Sequence, residues 1–125
     1  MTINLDHLIL RVSKVEESVH FYRQTLRLKY EADALLRVSP TLVLQLIEEP
    51  PSASIHLAFS MSRAEQEEVV ERLRGAQIPF GGGFSTVGTM TGPGRAHGSQ
   101  KNGASIYFRD PDMHMLEIIH YEPMP

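Results

Sequence analysis

An internal repeat constrains the fold of this 125-residue chain more than any other feature of its sequence. The pattern H-x5-S-x-x-E begins at His7 and begins again at His56. In both halves the short alternating run that carries the histidine predicts a strand, and the helical spacing of apolar residues after it predicts a helix. Ser13 and Glu16 of the first copy fit a capping box at the start of that helix.

The two halves also end alike, because LQLIEEP (residues 44–50) resembles LEIIHYEP (residues 116–123). This match places Gln45 at the position that Glu117 occupies in the second half. Between the first helix and this end, two apolar runs on either side of residues 39–40 predict a hairpin. A strand, a helix and further strands in each half predict an α+β fold built from two βαβββ modules.

The lengths of the two modules differ. One domain over residues 1–125 is expected, with module one at about 1–51 and module two at about 52–125. The repeated histidines lie 49 positions apart, whereas the matched residues near the module ends lie 72 apart, so the second module is longer by 23 residues. Most of them fall in the glycine-rich stretch 81–104, which predicts a long loop that is functional or mobile.

Strand alternation predicts which side chains share a face of the sheet. In the two histidine strands the alternate apolar residues are suited to packing on the helix, so His7 and His56 should point away from the helices. In the last strand Met115, Glu117 and Ile119 should share one face. Two imidazoles and one carboxylate, each from a different strand, are therefore able to converge on the concave side of a curved sheet.

The carboxylate of Glu117 is unusual because it lies in the apolar run HMLEIIHYE (residues 114–122), where an unpaired charge is costly to bury. Two imidazoles and one carboxylate suffice to bind Zn²⁺, Mn²⁺, Fe²⁺ or Ni²⁺ and leave positions for water or substrate. A bound dication would also compensate the charge. The alternative is structural, with His7 as a core histidine, His56 as a strand-end histidine and Glu117 as a solvent-facing edge residue.

The composition excludes several other classes of protein. The formal net charge is only −3 and there is no basic stripe, which argues against nucleic acid as a partner. Without cysteine there is no disulfide framework, thiolate nucleophile or sulfur-ligated zinc. No segment approaches the roughly 18 apolar residues of a membrane span, and the N-terminus lacks a signal-peptide pattern. A cytoplasmic protein with no membrane partner is expected.

Three segments carry a resemblance to a known family. DHLILRV…FYRQTL, IHLAFSM and IYFRDPDMHMLEI resemble the vicinal oxygen chelate superfamily, which includes glyoxalase I, fosfomycin-resistance enzymes, extradiol dioxygenases and bleomycin-resistance proteins. The resemblance covers nearly the whole chain and implies two modules forming a cupped mixed sheet with the helices outside. It implies one divalent metal per site (Zn, Mn, Fe, Ni or Co), held by His7, His56 and Glu117. It also implies a homodimer with modules paired between chains.

The resemblance further implies an enzyme, namely a metal-dependent lyase, isomerase, transferase or dioxygenase. Its substrate would be a small oxygenated molecule that chelates the metal and undergoes isomerisation, epoxide opening or oxygen insertion. Glyoxalase I-like members have a second carboxylate that serves as a base, and here that position is Gln45. A neutral amide cannot be a base, so glyoxalase I activity is not expected.

The segment NGASIYFRDPD (residues 102–112) most resembles the fosfomycin-resistance enzymes, in which the positions of Ser105 and Tyr107 contact the phosphonate. Ile9 stands where thiol-transferring members carry a threonine, so fosfomycin itself is not the expected substrate. Side chains of the glycine-rich stretch can bind an anion or act as a base, or they can be ordinary solvated residues. The expected substrate contacts are Gln45, Tyr107, Ser105, Ile9, Lys101 and His97.

Two other functions stay open. One is a metal-free protein of the bleomycin-resistance type that sequesters a small molecule, and the other is a retired enzyme that keeps the fold for assembly. The complete set of three ligand positions favours the enzyme, because sequestering members of the superfamily generally lack one.

Overall fold

The computed structural model of the chain describes residues 2–123 and divides into two compact units, one ending at Ala53 and the other beginning at Ser54. Each unit begins with a strand and a helix and continues with further strands, so the predicted α+β class is confirmed. The first unit has the predicted βαβββ order, and the second has four strands after its helix instead of three. Within residues 2–123 no helix is long and apolar enough to cross a membrane.

The first unit is a four-stranded sheet with one helix. The strands stand in the order β1-β4-β3-β2, with β1 parallel to β4 and the other neighbours antiparallel. Its buried apolar side chains come from β1, the helix, β3 and β4. The elements are β1 (His7–Val12), α1 (Val15–Leu26), β2 (Lys29–Glu31), β3 (Leu35–Ser39) and β4 (Leu42–Glu48).

The second unit repeats this plan and adds to it. Its strands stand in the order β5-β9-β8-β6, with β5 parallel to β9, and β7 pairs antiparallel with β8. The elements are β5 (His56–Ser60), α2 (Arg63–Gly75), β6 (Phe80–Gly81), β7 (Gly94–Ala96), β8 (Gly103–Arg109) and β9 (Met115–His120). The side chains of β8 and β9 are almost all buried, which makes these two strands the centre of the unit.

The strand registers show that the repeat is structural. His7 pairs with Val43, and two positions further on Ile9 pairs with Gln45. In the second unit Ala58, two positions after His56, pairs with Glu117 in the same parallel arrangement. The predicted equivalence of the positions of Gln45 and Glu117 is therefore confirmed residue for residue.

The glycine-rich stretch 81–104 is not the long loop that its composition predicts. It contains a 3-10 turn (Phe84–Thr86) and strand β7, which is hydrogen-bonded to β8. Glycines allow this because the chain passes very close to itself: a Cβ on Gly94 would collide with the carbonyl oxygen of Gly82. The extra residues of the second module are thus folded onto the edge of the sheet.

The two helices begin differently, although the serine and glutamate of a capping box have the same spacing at the start of each. At α2 the capping box forms: the Glu65 N–H donates to Ser62 Oγ at 3.1 Å, and the Ser62 N–H donates to Glu65 Oε1 at 2.9 Å. At α1 the predicted box is absent, and the N-cap residue is Lys14 without a side-chain cap. There the Val15 N–H donates instead to Glu48 Oε1, 3.0 Å away at the end of β4.

We expect Ser62→Ala to lower the free energy of unfolding by about 1 kcal/mol, because one N–H of the first turn of α2 loses its acceptor. Glu65→Gln keeps a side chain that can complete the box and should stay within about 0.5 kcal/mol of wild type at pH 7. Urea unfolding followed by circular dichroism measures both. Equal stability of Ser62→Ala and wild type would contradict the capping role.

Wild type and Glu65→Gln should also differ in how their stability depends on pH. Hydrogen bonds from the Ser62 backbone N–H and then from its hydroxyl hold the pKa of Glu65 below its usual value. A lowered pKa in the folded state stabilises the protein above the ordinary glutamate pKa of about 4.3, and this stabilisation disappears as the pH falls through the lowered value. Wild type should therefore lose slightly more stability than Glu65→Gln in this acid range.

Candidate functional site

Glu117 is a buried carboxylate in the middle of the second sheet. Its strand, β9, lies between β5 and β8, and the residue is only 6% exposed, so it is not the solvent-facing edge residue of the structural alternative. Both carboxylate oxygens have partners: Oε1 lies 2.9 Å from His56 Nε2, and Oε2 accepts a hydrogen bond of 2.6 Å from Ser105 Oγ. The charge is therefore compensated by polar groups on both neighbouring strands.

His56 opens β5 and reaches across to Glu117. Its side chain is 39% exposed, so one side of the imidazole is open to ligands while Nε2 faces the carboxylate. With an ionised Glu117, Nε2 is the donor of this contact, because a carboxylate only accepts. His56 and Glu117 are thus in contact on one face of the second sheet.

The turn between β8 and β9 has two buried ends, Asp110 and His114, and it connects to the start of β5. Asp110 Oδ1 accepts hydrogen bonds of 2.9 Å from the N–H groups of Asp112 and His114. His114 Nδ1 in turn accepts the N–H of Ile55 at 3.1 Å, immediately before the strand that carries His56. Sequence reasoning assigned no role to this buried histidine, which joins the turn to the neighbouring strand.

Tyr107 and Ser105 lie on β8 on the same face as Glu117. Tyr107 pairs directly with Glu117 in the strand register, and both β8 side chains are buried. Burial raises the pKa of Tyr107, and the charge of Glu117 and its hydrogen bond with the phenol raise the pKa further, against a smaller lowering by Ser105. The phenol is therefore held in its neutral form, able to donate a hydrogen bond.

Phe84 belongs to this site, although its sequence position gave no reason to include it. Its ring lies edge-on to the His56 imidazole with centroids 5.0 Å apart, and 4.9 Å from the Tyr107 ring. The only available signal was an isolated aromatic residue after three glycines. Two aromatic rings, those of Phe84 and Tyr107, therefore lie beside the His56–Glu117 pair.

His7 lies in the first unit, half exposed at the start of β1, and is not a core histidine. Its Nδ1 lies 2.8 Å from Asp6 Oδ2. Since the carboxylate accepts, Nδ1 is the donor of this contact, and in the corresponding neutral tautomer the lone pair lies on Nε2. A histidine that donates one ring N–H to a carboxylate has the arrangement usual for a metal ligand.

The other predicted contacts are divided between the units. Ile9 and Gln45 pair across β1 and β4 in the first unit, on the face that carries His7. Lys101 and His97 are exposed in the connection between β7 and β8, and neither takes part in the hydrogen bonds of Glu117 described above. Their contact with a substrate stays a prediction.

Among residues 2–123 the structure brings together no group of three or more His, Asp or Glu side chains able to hold a metal ion. The second unit contributes a pair, His56 and Glu117, and the third predicted ligand, His7, belongs to the first unit. The set of three metal ligands therefore stays a prediction. Two of its members, His56 and Glu117, are in contact with each other.

Two units, each with a histidine opening its first strand and a polar side chain at the matching position of its last strand, define a two-module α+β protein. Comparison with known families agrees, because the profile of the Glyoxalase/Bleomycin resistance protein/Dioxygenase superfamily matches residues 4–118. The chain belongs to this superfamily, and the resemblance of its sequence segments to the vicinal oxygen chelate proteins is confirmed.

Individual relatives cover most of the chain. Glutathione transferase FosA of Serratia marcescens is 30% identical over 129 residues, which span 94% of this chain and 81% of the relative. Metallothiol transferase FosB of Shouchella clausii (strain KSM-K16) is 29% identical over 128 residues, spanning 94% and 80%. The crystal structure of virulence protein STM3117 from Salmonella typhimurium matches with a TM-score of 0.74 and 26% identity over 98% of this chain and 99% of that one.

Proposed function

We propose that the protein is a divalent-metal-dependent enzyme that acts on a small oxygenated substrate. The observation that carries this proposal is the paired, buried carboxylate of Glu117, held between His56 and Ser105 and flanked by apolar residues on its strand. A purely structural role would need no carboxylate at the centre of a sheet, whereas a carboxylate oriented by a hydrogen-bonding neighbour is suited to bind a divalent metal. The relatives named as metallothiol and glutathione transferases support the same class.

The geometry of the pair fits a metal ion. Two ligand atoms at about 2.1 Å from a metal and at right angles to each other are about 3 Å apart. His56 Nε2 and Glu117 Oε1 are 2.9 Å apart, so both could bind one dication with little movement once Nε2 has lost its hydrogen. Ser105 would continue to hold the other carboxylate oxygen, as an outer-shell partner of the ligand.

We propose His7 as the third ligand, with Asp6 orienting its ring. Following the family resemblance, the protein would act as a homodimer in which His7 comes from one chain and His56 with Glu117 from the other. The metal, when bound, would act as a Lewis acid on substrate oxygens. Tyr107 would donate a hydrogen bond from its neutral phenol, and Gln45 would contact the substrate without acting as a base.

Metal titration tests this proposal. Purified protein should contain a divalent metal by elemental analysis, and the metal-stripped protein should bind Mn²⁺, Zn²⁺, Fe²⁺, Ni²⁺ or Co²⁺ by calorimetry. We expect His56→Ala to weaken binding of the preferred ion by about a hundredfold, because it removes a ligand. His20→Ala, at an exposed histidine of α1, is the matched control.

Two outcomes would contradict the proposal. Wild type that binds each of these ions no better than His56→Ala would rule out a metal at this pair. Metal-free protein that retains a small molecule from the cell, with no metal affinity, would favour the sequestering function instead.

A further inference from the structure

We propose that His114, assisted by Ser54, is a positioning residue for the metal site: it fixes the start of β5, and with it the imidazole of His56, against the turn between β8 and β9. This inference rests on the proposed function and adds to it a residue that touches neither metal nor substrate. It follows from the hydrogen bonds around Ile55, from the edge position of β5 and from a difference between the two units.

The start of β5 needs support from outside its own strand. Among the described residues β5 pairs with one neighbour, β9, and the preceding residues 49–55 form no helix or strand. The end of such a strand opens more readily than the centre of a sheet, because fewer hydrogen bonds and contacts hold it. His56 is the first residue of β5, so its imidazole would share any such opening.

Three hydrogen bonds join residues 54 and 55 to the turn. The Ile55 N–H donates to Nδ1 of His114 at 3.1 Å, and the Ile55 carbonyl oxygen accepts the N–H of Met115 at 2.9 Å. The hydroxyl of Ser54 donates to the Met113 carbonyl oxygen at 3.0 Å. Both backbone groups of Ile55 are therefore bonded, and a side chain from the turn supplies one of the two partners.

The imidazole of His114 is well placed to hold this N–H. The residue is 1% exposed, its own N–H donates to Asp110 Oδ1 at 2.9 Å, and its carbonyl oxygen accepts the Asp110 N–H at 3.1 Å. Because a backbone N–H only donates, Nδ1 must accept with its lone pair. An apolar side chain of similar size would leave the Ile55 N–H without this acceptor, which is unfavourable.

The first unit holds its histidine in another way. In each unit a backbone N–H of the last strand donates to the carbonyl oxygen of the residue before the histidine. In the first unit that residue is Asp6, whose carboxylate also contacts the His7 ring. In the second it is Ile55, whose side chain cannot orient an imidazole, and His114 binds its N–H instead. The position matched to His114 in the first unit is Leu42, which has no side-chain acceptor.

Titration of metal-stripped protein with Zn²⁺ by calorimetry tests this role. His114→Leu removes the acceptor, and we expect the Zn²⁺ affinity to fall about tenfold, as it would if the strand start were in place one-tenth of the time. His114→Asn puts an amide oxygen near the position of Nδ1 and should restore the affinity to within about threefold of wild type. Ser54→Ala, at an exposed position, should lower it about threefold.

Amide hydrogen exchange separates positioning from a general loss of stability. In His114→Leu the N–H of Met115, which is bonded to Ile55, should exchange about tenfold faster than in wild type. The bonded N–H of Met61, just beyond the other end of β5, should keep its wild-type rate. Val69→Ala shortens a buried side chain of α2 and lowers the stability of the unit, but it should leave the Zn²⁺ affinity unchanged.

Several outcomes would refute the positioning role. Wild-type Zn²⁺ affinity in His114→Leu would do so while the proposed function stands. An equal loss of affinity in Val69→Ala, or equal acceleration of exchange at Met115 and Met61, would reduce the effect to stability and refute it as well. If His114→Leu does not fold, unchanged affinity in Ser54→Ala decides against the role. If wild type binds none of the divalent ions named above, the positioning role and the proposed function both fail.

Discussion

Glu117→Gln is expected to weaken binding of the preferred divalent metal by at least about a hundredfold. The substitution keeps the shape of the side chain and can keep a hydrogen bond with Ser105, but it removes the negative charge that a metal ligand supplies. Isothermal titration of metal-stripped protein measures the change. The fold should survive, because the buried charge that needs compensation disappears with the carboxylate.

Two further variants test the role of Glu117 in metal binding. Ser105→Ala removes the hydrogen bond of 2.6 Å to the carboxylate and should cost about ten- to a hundredfold in metal affinity, as loss of an outer-shell partner does. Glu68→Gln, at an exposed position of α2, carries the same chemical change and should have no effect. A Glu117→Gln variant that binds metal as tightly as Glu68→Gln would remove Glu117 from the ligand set.

Gln66→Glu is expected to lower the free energy of unfolding by about 3 kcal/mol. Gln66 is 2% exposed on α2, and its Nε2 donates to the carbonyl oxygens of Ala104 and Ile118, each at 2.9 Å. These two bonds attach the helix to the paired strands that carry Tyr107 and Glu117. A carboxylate of the same shape has no hydrogen to donate, so it would face two carbonyl oxygens or be buried with its own proton.

Gln24→Glu is the matched control, because it makes the same change at an exposed position of α1. We expect it to alter stability by less than about 0.5 kcal/mol. Urea unfolding at pH 7, followed by circular dichroism for wild type and both variants, gives the comparison. Similar midpoints for the two variants would mean that the two hydrogen bonds of Gln66 contribute little to the packing of the helix.

Local periodicity explains why the sequence predicted so much of the fold. Alternation and helical spacing are properties of neighbouring residues, so the strands that carry His7 and His56 could be located directly. The two matched module ends then predicted that Gln45 and Glu117 are equivalent, and the strand registers confirm it. The repeat supplied long-range information that a single module would not contain.

The sequence predictions failed where contacts with residues far away in the sequence determine the local structure. The spacing of Ser13 and Glu16 predicts a capping box, but Glu48 from β4 accepts the N–H of Val15 at the start of α1. The glycine-rich stretch predicted a loop, because composition does not show that β7 can pair with β8. Phe84 was missed because sequence spacing does not determine which way a ring in such a stretch packs.

Glu117 lies within the sheet and Phe84 lies on an exposed turn, so the two positions should differ in how easily they change during evolution. Glu117 is fixed by the two strands on either side of it, so a replacement that does not keep its shape disturbs the contacts with His56 and Ser105. Phe84 is exposed on a short turn, where a substitution costs little stability. Descendants of this chain could therefore vary at that turn while the His56–Glu117 pair stays unchanged.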